Sequence, residues 1–187
     1  MPSATPQELA TAIMDCLDAG ARIINLSLAL ACSSTKGEHS RDKTLNHAPR
    51  RGILVVAAEG NQGTLGSSAI TRHPWVIPVV ACDRMSRPIS ESNFGSSIGR
   101  RGFSAPGTNM TSLGTAGHPL TLGGTSVATP FVTGAIALLW SEFPSASAAQ
   151  VKLTITHKAQ PRRASVAPPL LDATAASHAL STVRARR

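Results

Sequence analysis

The chain has 187 residues and a formal net charge of +8, with 42% hydrophobic residues, 3% aromatic and no tyrosine. That length suits one domain with a real core, and a core poor in aromatics must be filled by Ala, Val, Leu and Ile, which favours close packing of helices on a sheet. No apolar run is long enough to span a bilayer, and the basic residues gather in short PRRG, GRRG, PRRA and RARR segments rather than in a stripe interleaved with aromatics, so neither a membrane nor a nucleic acid is an expected partner.

The N-terminal MPSATPQELA lacks the basic-then-apolar pattern of a signal peptide. Residues 7–19 place Leu9, Ile13 and Leu17 at helical spacing, with Thr5 as cap, Pro6 at the first helical position and Gly20 at the end. Residues 22–30, RIINLSLAL, form a branched apolar run short enough for a buried strand. A Ser-rich loop and a weaker helix over 41–51 follow, with Pro49 set to disturb the last turn. GILVVAAEGNQG at 52–63 reads as a strand and then a glycine-rich loop. WVIPVVAC at 75–82 reads as another strand, which Pro78 demotes toward an edge or bulge.

Residues 83–120 are rich in Ser, Gly and Pro and predict short β segments at most. Helices are expected over about 126–142, 146–158 and 170–180, and the last seven residues, from Ser181, as a basic tail. This alternation predicts an α/β fold with a mostly parallel sheet flanked by helices. Three cysteines, Cys16, Cys32 and Cys82, are odd in number and widely spaced, fitting neither a disulfide framework nor a zinc site. A cytoplasmic protein is therefore expected, with no cofactor and no metal.

The chemistry gathers at LGGTSVATPFVTGAIALLW, which begins at Leu122. A helix start offers unpaired N–H groups and a partial positive charge. Glycines ahead of it let a carbonyl approach the backbone. Ser126 in that place is either an N-cap or a nucleophile whose oxyanion is held by its own N–H. Pro130, four residues on, removes the N–H that would bond the Ser126 carbonyl, tolerable only in a first turn.

GTSVATP at 124–130 resembles the nucleophile motif of the subtilisin-like serine proteases. Three further blocks follow the family order: IINLSLA at 23–29, GILVVAAEGNQG at 52–63 and FSAPGTNMTS at 103–112. The resemblance covers roughly residues 7–180 and implies a partial subtilisin-like three-layer fold, the C-terminal portion of a peptidase domain over 1–180. Longer stretches, such as NFGSSIGRRGFSAPG, are similar to PatA/PatG-type proteases of cyanobactin maturation, which cut precursor peptides of modified natural products.

By that resemblance Ser126 is the catalytic nucleophile and Asn61 the side-chain oxyanion donor. Ser27, Leu28 and Ala29 pair with the backbone of a peptide or protein substrate as an added strand. Ala57, Ala58, Glu59 and Gly60 line the opposite side of the specificity pocket, with Gly124 beside the nucleophile. Glu59 replaces a usually small residue, and its carboxylate either faces the pocket, favouring basic substrate residues, or points to solvent. Ala29 and Leu30 stand where glycines are usual. Calcium is common in the family, but no Asp-rich loop here carries it over.

The family's Asp and His motifs have no counterpart in this sequence. His73 and His118 each precede proline and are weak candidates for a replacement base. The expectation is a domain fragment whose Asp and His come from an N-terminal half, inactive alone. The alternative is a non-catalytic peptide-binding or partner module with an idle serine.

Overall fold

The computed structural model describes residues 5–28, 35–115, 117–158 and 165–184, without the side chains of 35–41, 157–158 and 183–184. Helix α1, Pro6–Asp18, opens on a capping box: Glu8 N donates to Thr5 Oγ1 at 3.2 Å, and Thr5 N donates to Glu8 Oε2 at 2.7 Å. Strand β1 is Ile23–Leu26, shorter than the apolar run that announces it; Ala29, Leu30 and Cys32 lie outside the described residues. Helix α2, Thr35–Arg50, begins six residues earlier than expected and ends one residue after Pro49. Leu9, Ile13 and Leu17 of α1 pack with Leu45 and Ala48 of α2 against one face of the sheet.

Strands β2 (Leu54–Ala58), β3 (Ile77–Cys82) and β4 (Phe103–Pro106) complete a four-stranded parallel sheet in the order β1-β2-β3-β4. Every residue of β2 and β3 is buried. Their side chains alternate between two cores: Leu54 and Val56 face one, Val55 and Ala57 the other. The expected edge position of the 75–82 strand is corrected, because β3 is central. Its Pro78 is tolerated because β4 starts pairing only at Val79, so the missing N–H falls beyond that ladder.

Helix α3, Ser96–Arg101, was hidden in the Ser- and Gly-rich stretch. Arg101 at its end donates to three carbonyls, Thr71 (2.9 Å), His73 (2.9 Å) and Val76 (3.0 Å), locking the segment that leads into β3. Strands β5 (Met110–Leu113) and β6 (Pro119–Leu122) form a separate antiparallel hairpin, mostly exposed. Helix α4, Thr125–Glu142, lies across all four parallel strands and buries Ala128, Val132, Ile136, Leu139 and Trp140.

The helix expected over 146–158 divides into α5, Ala148–Leu153, and a π-helical turn, Thr154–Lys158. Helix α6, Ala173–Arg184, runs past Ser181 into the stretch expected as tail.

Candidate active site

Strand β2 delivers Glu59, Gly60 and Asn61 to the C-terminal edge of the sheet, where α4 begins. There Thr125 N donates to Asn61 Oδ1 at 2.9 Å. A backbone N–H can only donate, so it fixes which end of the carboxamide is oxygen and leaves Asn61 Nδ2 as the free donor. Gly124, with φ +105° and ψ 179°, makes this approach possible, since a Cβ there would stand 2.8 Å from Asn61 Nδ2. Gly60 N donates to the buried Thr125 hydroxyl at 3.2 Å, a second tie between strand end and helix start.

The segment after β4 closes the arrangement from behind. Gly107 N donates to the Cys82 carbonyl at 3.0 Å, and Gly124 N donates to the Gly107 carbonyl at 2.7 Å. A side chain at Gly107 would meet Ala81 Cβ at 2.6 Å. Ser126 is half-buried in the first turn of α4, where backbone N–H groups lack intrahelical partners. Asn61 is therefore held against Thr125, the residue before Ser126, at the mouth of α4.

Asn93, which sequence reasoning missed, holds the Asn61 loop. Its Oδ1 accepts from Gln62 N, Thr64 N and the Thr64 hydroxyl, each at 3.1 Å. Its Nδ2 donates to the Glu59 carbonyl at 3.2 Å and to Gln62 Oε1 at 2.7 Å. A Ser-Asn pair in a loop reads locally as turn chemistry, so nothing in sequence distinguishes it.

On the β1 side, Thr133 of α4 donates to Asn25 Oδ1 at 2.8 Å, and Asn25 Nδ2 donates to Ser27 Oγ at 2.8 Å. Ser27 is exposed and Leu28 half-buried beyond the strand end; Ala29 is not among the described residues. Ala57, Ala58 and Glu59 are all fully buried. Gly60 is buried as well, so the expectation that residues 57–60 line a pocket is corrected: β2 is a central strand packed on both faces, and its end stays under the surface.

Glu59 corrects both orientations expected of it. Its Oε1 accepts from Ser68 N at 2.9 Å, and its Oε2 is buried with no hydrogen-bond partner. Burial pushes its carboxyl up to about 7, although hydrogen bonds from Thr71 and Ser68 and the charge of Arg101 oppose the rise.

No partner among the described residues hydrogen-bonds the Ser126 hydroxyl. His73 is engaged elsewhere: its Nε2 lies 3.2 Å from Asn46 Oδ1, and its Nδ1 accepts from Trp75 N at 3.2 Å. His118 is exposed next to β6. Among the described residues, no group of three or more His, Cys, Asp or Glu could hold a metal ion, and no helix is long and apolar enough to cross a membrane. Cys16 and Cys82 are free thiols. A cleft of about 750 Å³ opens beside Asn61 and Gly124, walled by the loops after β3 and β4.

A parallel sheet that presents a carboxamide and a glycine-opened helix start at one edge defines a site suited to holding an oxyanion. The profile of the subtilase family, Peptidase S8, matches residues 1–180, and the chain belongs to that family. It is 38% identical over 137 residues to the thermostable alkaline protease of Halalkalibacterium halodurans (strain ATCC BAA-125 / DSM 18197 / FERM 7344 / JCM 9153 / C-125), covering 73% of this chain and 36% of that protein. The solved structure of the prenylagaramide maturation protease PagA superposes with a TM-score of 0.86 at 26% identity, over 96% of this chain and 69% of that one. The patellamide maturation protease PatA gives 0.85 at 28% identity, over 97% and 71%. Against the curated relatives, the chain spans only 33% to 47% of their length.

Proposed function

We propose that this chain carries the nucleophile and oxyanion hole of a serine endopeptidase that cleaves precursor peptides of modified-peptide natural products. The observation that carries the reading is the Thr125 N to Asn61 Oδ1 hydrogen bond across Gly124, which holds Asn61 at the start of α4 and leaves its Nδ2 as the free donor. Ser126 Oγ attacks the peptide carbonyl, and the carbonyl oxygen gains negative charge. Asn61 Nδ2 and Ser126 N–H stabilise that charge without having to reorganise. Ser27, Leu28 and Ala29 dock the substrate as an added strand. The likeness to PagA and PatA supports precursor peptides as the substrate class.

The proton on Ser126 Oγ needs a base, and the reading assigns it to an N-terminal half supplying Asp and His. Helix α4 supports a missing neighbour: it is apolar almost all round, yet Phe131 is 46% and Leu138 72% exposed. Separately, β1 is an edge strand, paired with β2 alone among the described strands. The two free thiols fit a cytoplasmic setting.

The test is labelling with a fluorophosphonate, alone and after adding a separately expressed N-terminal segment bearing the family's Asp and His, with Ser126→Ala as control. Labelling only in the combined sample supports the reading. Asn61→Ala should then slow it about 100-fold, the scale found when a subtilisin oxyanion donor is removed. No labelling in any sample would favour the second reading, a peptide-binding module with an idle serine, which the unpartnered hydroxyl itself supports.

A further inference from the structure

The cleft beside Asn61 has chemistry that neither the nucleophile nor the strand-docking segment uses. Its walls are loops that follow β3 and β4, and β1 lies on the far side of β2. A peptide paired with the end of β1, with its reacting carbonyl at Asn61, must run on past that carbonyl into this cleft. The cleft therefore takes the segment that follows the scissile bond, an assignment that rests on the protease reading above.

Three charged side chains line it: Asp83, Arg87 and Glu91. Asp83 and Arg87 neutralise each other. Arg87 Nε and Nη2 each lie 2.8 Å from Asp83 Oδ2, while Asp83 Oδ1 accepts from Met85 N at 2.8 Å and Arg87 N at 2.9 Å. These bonds hold the Asp83 carboxyl below its ordinary range, so it stays ionised and paired. Among the described residues Glu91 has no such cation. Its Oε2 accepts only from the Ser90 hydroxyl, at 3.1 Å, and the side chain is exposed.

The cleft thus carries one uncompensated negative charge on a chain whose formal net charge is +8. Independently, the Thr108 hydroxyl oxygen is buried in the same wall with no hydrogen-bond partner among the described residues. No aromatic side chain lines the cleft, so it offers a planar or bulky apolar residue no stacking surface.

We infer that this cleft binds the leaving segment of the substrate and selects a basic residue, Lys or Arg, just after the scissile bond through Glu91.

The experiment is a titration of the full chain with two short amidated peptides, Lys-Ala-Gly and Glu-Ala-Gly, followed by backbone amide chemical shifts. The lysine peptide should bind about fivefold more tightly, the scale of an exposed ion pair, with shifts at Gly107, Thr108 and Gly123, and the preference should shrink as salt is raised. Glu91→Gln should bring the two affinities within about twofold, and Glu91→Lys should reverse their order. Glu91 is exposed, so both variants should fold, and an unchanged amide spectrum away from the cleft verifies it. Equal affinities in the wild-type chain, a preference that survives Glu91→Gln, or no shifts at the cleft would each overturn the inference. Fluorophosphonate labelling separates the two failures: a chain that labels but shows no charge preference retains its protease reading and loses only this one.

Discussion

The two flanks of helix α4 are built to different standards. Toward β3 and β4 the backbone is tied before and after the strands: Arg101 to three carbonyls in the segment leading into β3, Gly107 to Cys82 and Gly124 to Gly107 beyond the strand ends. Toward β1 the ties are the Thr133–Asn25 hydrogen bond, the Asn25–Ser27 contact and, at the strand start, Arg22, whose guanidinium lies 4.0 Å from the Trp140 ring centroid; the outer face of α4 leaves Phe131 and Leu138 exposed. The Asn61 side of the site is thus held by hydrogen bonds within this chain. The β1 edge carries no further strand among the described residues. Under the proposed protease reading, holding an oxyanion and activating a serine are separate structural tasks, and only the first has its ties here.

The sharpest way to break the closed flank is Arg101→Leu. It strips partners from three carbonyls and removes the positive charge facing Glu59, and it should cost about 3 kcal/mol in urea unfolding. Gly124→Ala comes next. Its backbone conformation is one that essentially only glycine adopts, at about 1–3 kcal/mol for other residues, and the new Cβ displaces the Asn61 carboxamide. A melting temperature lowered by about 5 °C, together with loss of any labelling that the complemented wild type shows, would check it.

Glu59 gives a pH signature of the same flank. Its carboxyl is raised to about 7 in the folded chain against 4.5 when free, so the folded state binds more protons between those values. Stability from this group is full below about pH 4.5 and is lost as pH rises toward 7 and beyond, by up to about 3 kcal/mol. Glu59→Gln should flatten that slope between pH 5 and 7, measured as unfolding free energy against pH. On the exposed outer face of α4 the expectation is the reverse in size. Leu138→Ser should change the stability of the isolated chain by no more than about 0.5 kcal/mol, yet should weaken capture of an added N-terminal segment in a pull-down.

Sequence reading reached most of the scaffold because the parallel strands carry unbroken apolar runs, as at Leu54–Ala58, and because Thr5, Pro6 and Gly20 punctuate α1. Ser126 and Asn61 were legible as a candidate pair through motif residues. What stayed hidden is tertiary. Pro78 argues locally for an edge, and only the stagger of β4 shows why it is central. Helix α3 has no side-chain N-cap hydrogen bond and little apolar periodicity; it is held by burial of Ile98 and by the Arg101 contacts. Asn93 acts through partners about 30 residues away. Glu59 looks like a surface or pocket acid until Ser68 and Thr71 are folded over it.

The β5–β6 hairpin has a practical use. Leu113 at its tip is 85% exposed, the strands pair with each other, and Leu122 leads directly into Gly123 and Gly124. A fluorophore mounted at Leu113, or a few residues inserted there, adds little loop-closure entropy and disturbs no core. It would place a reporter on the same stretch of backbone that leads to Ser126, giving an optical signal of occupancy that needs no turnover.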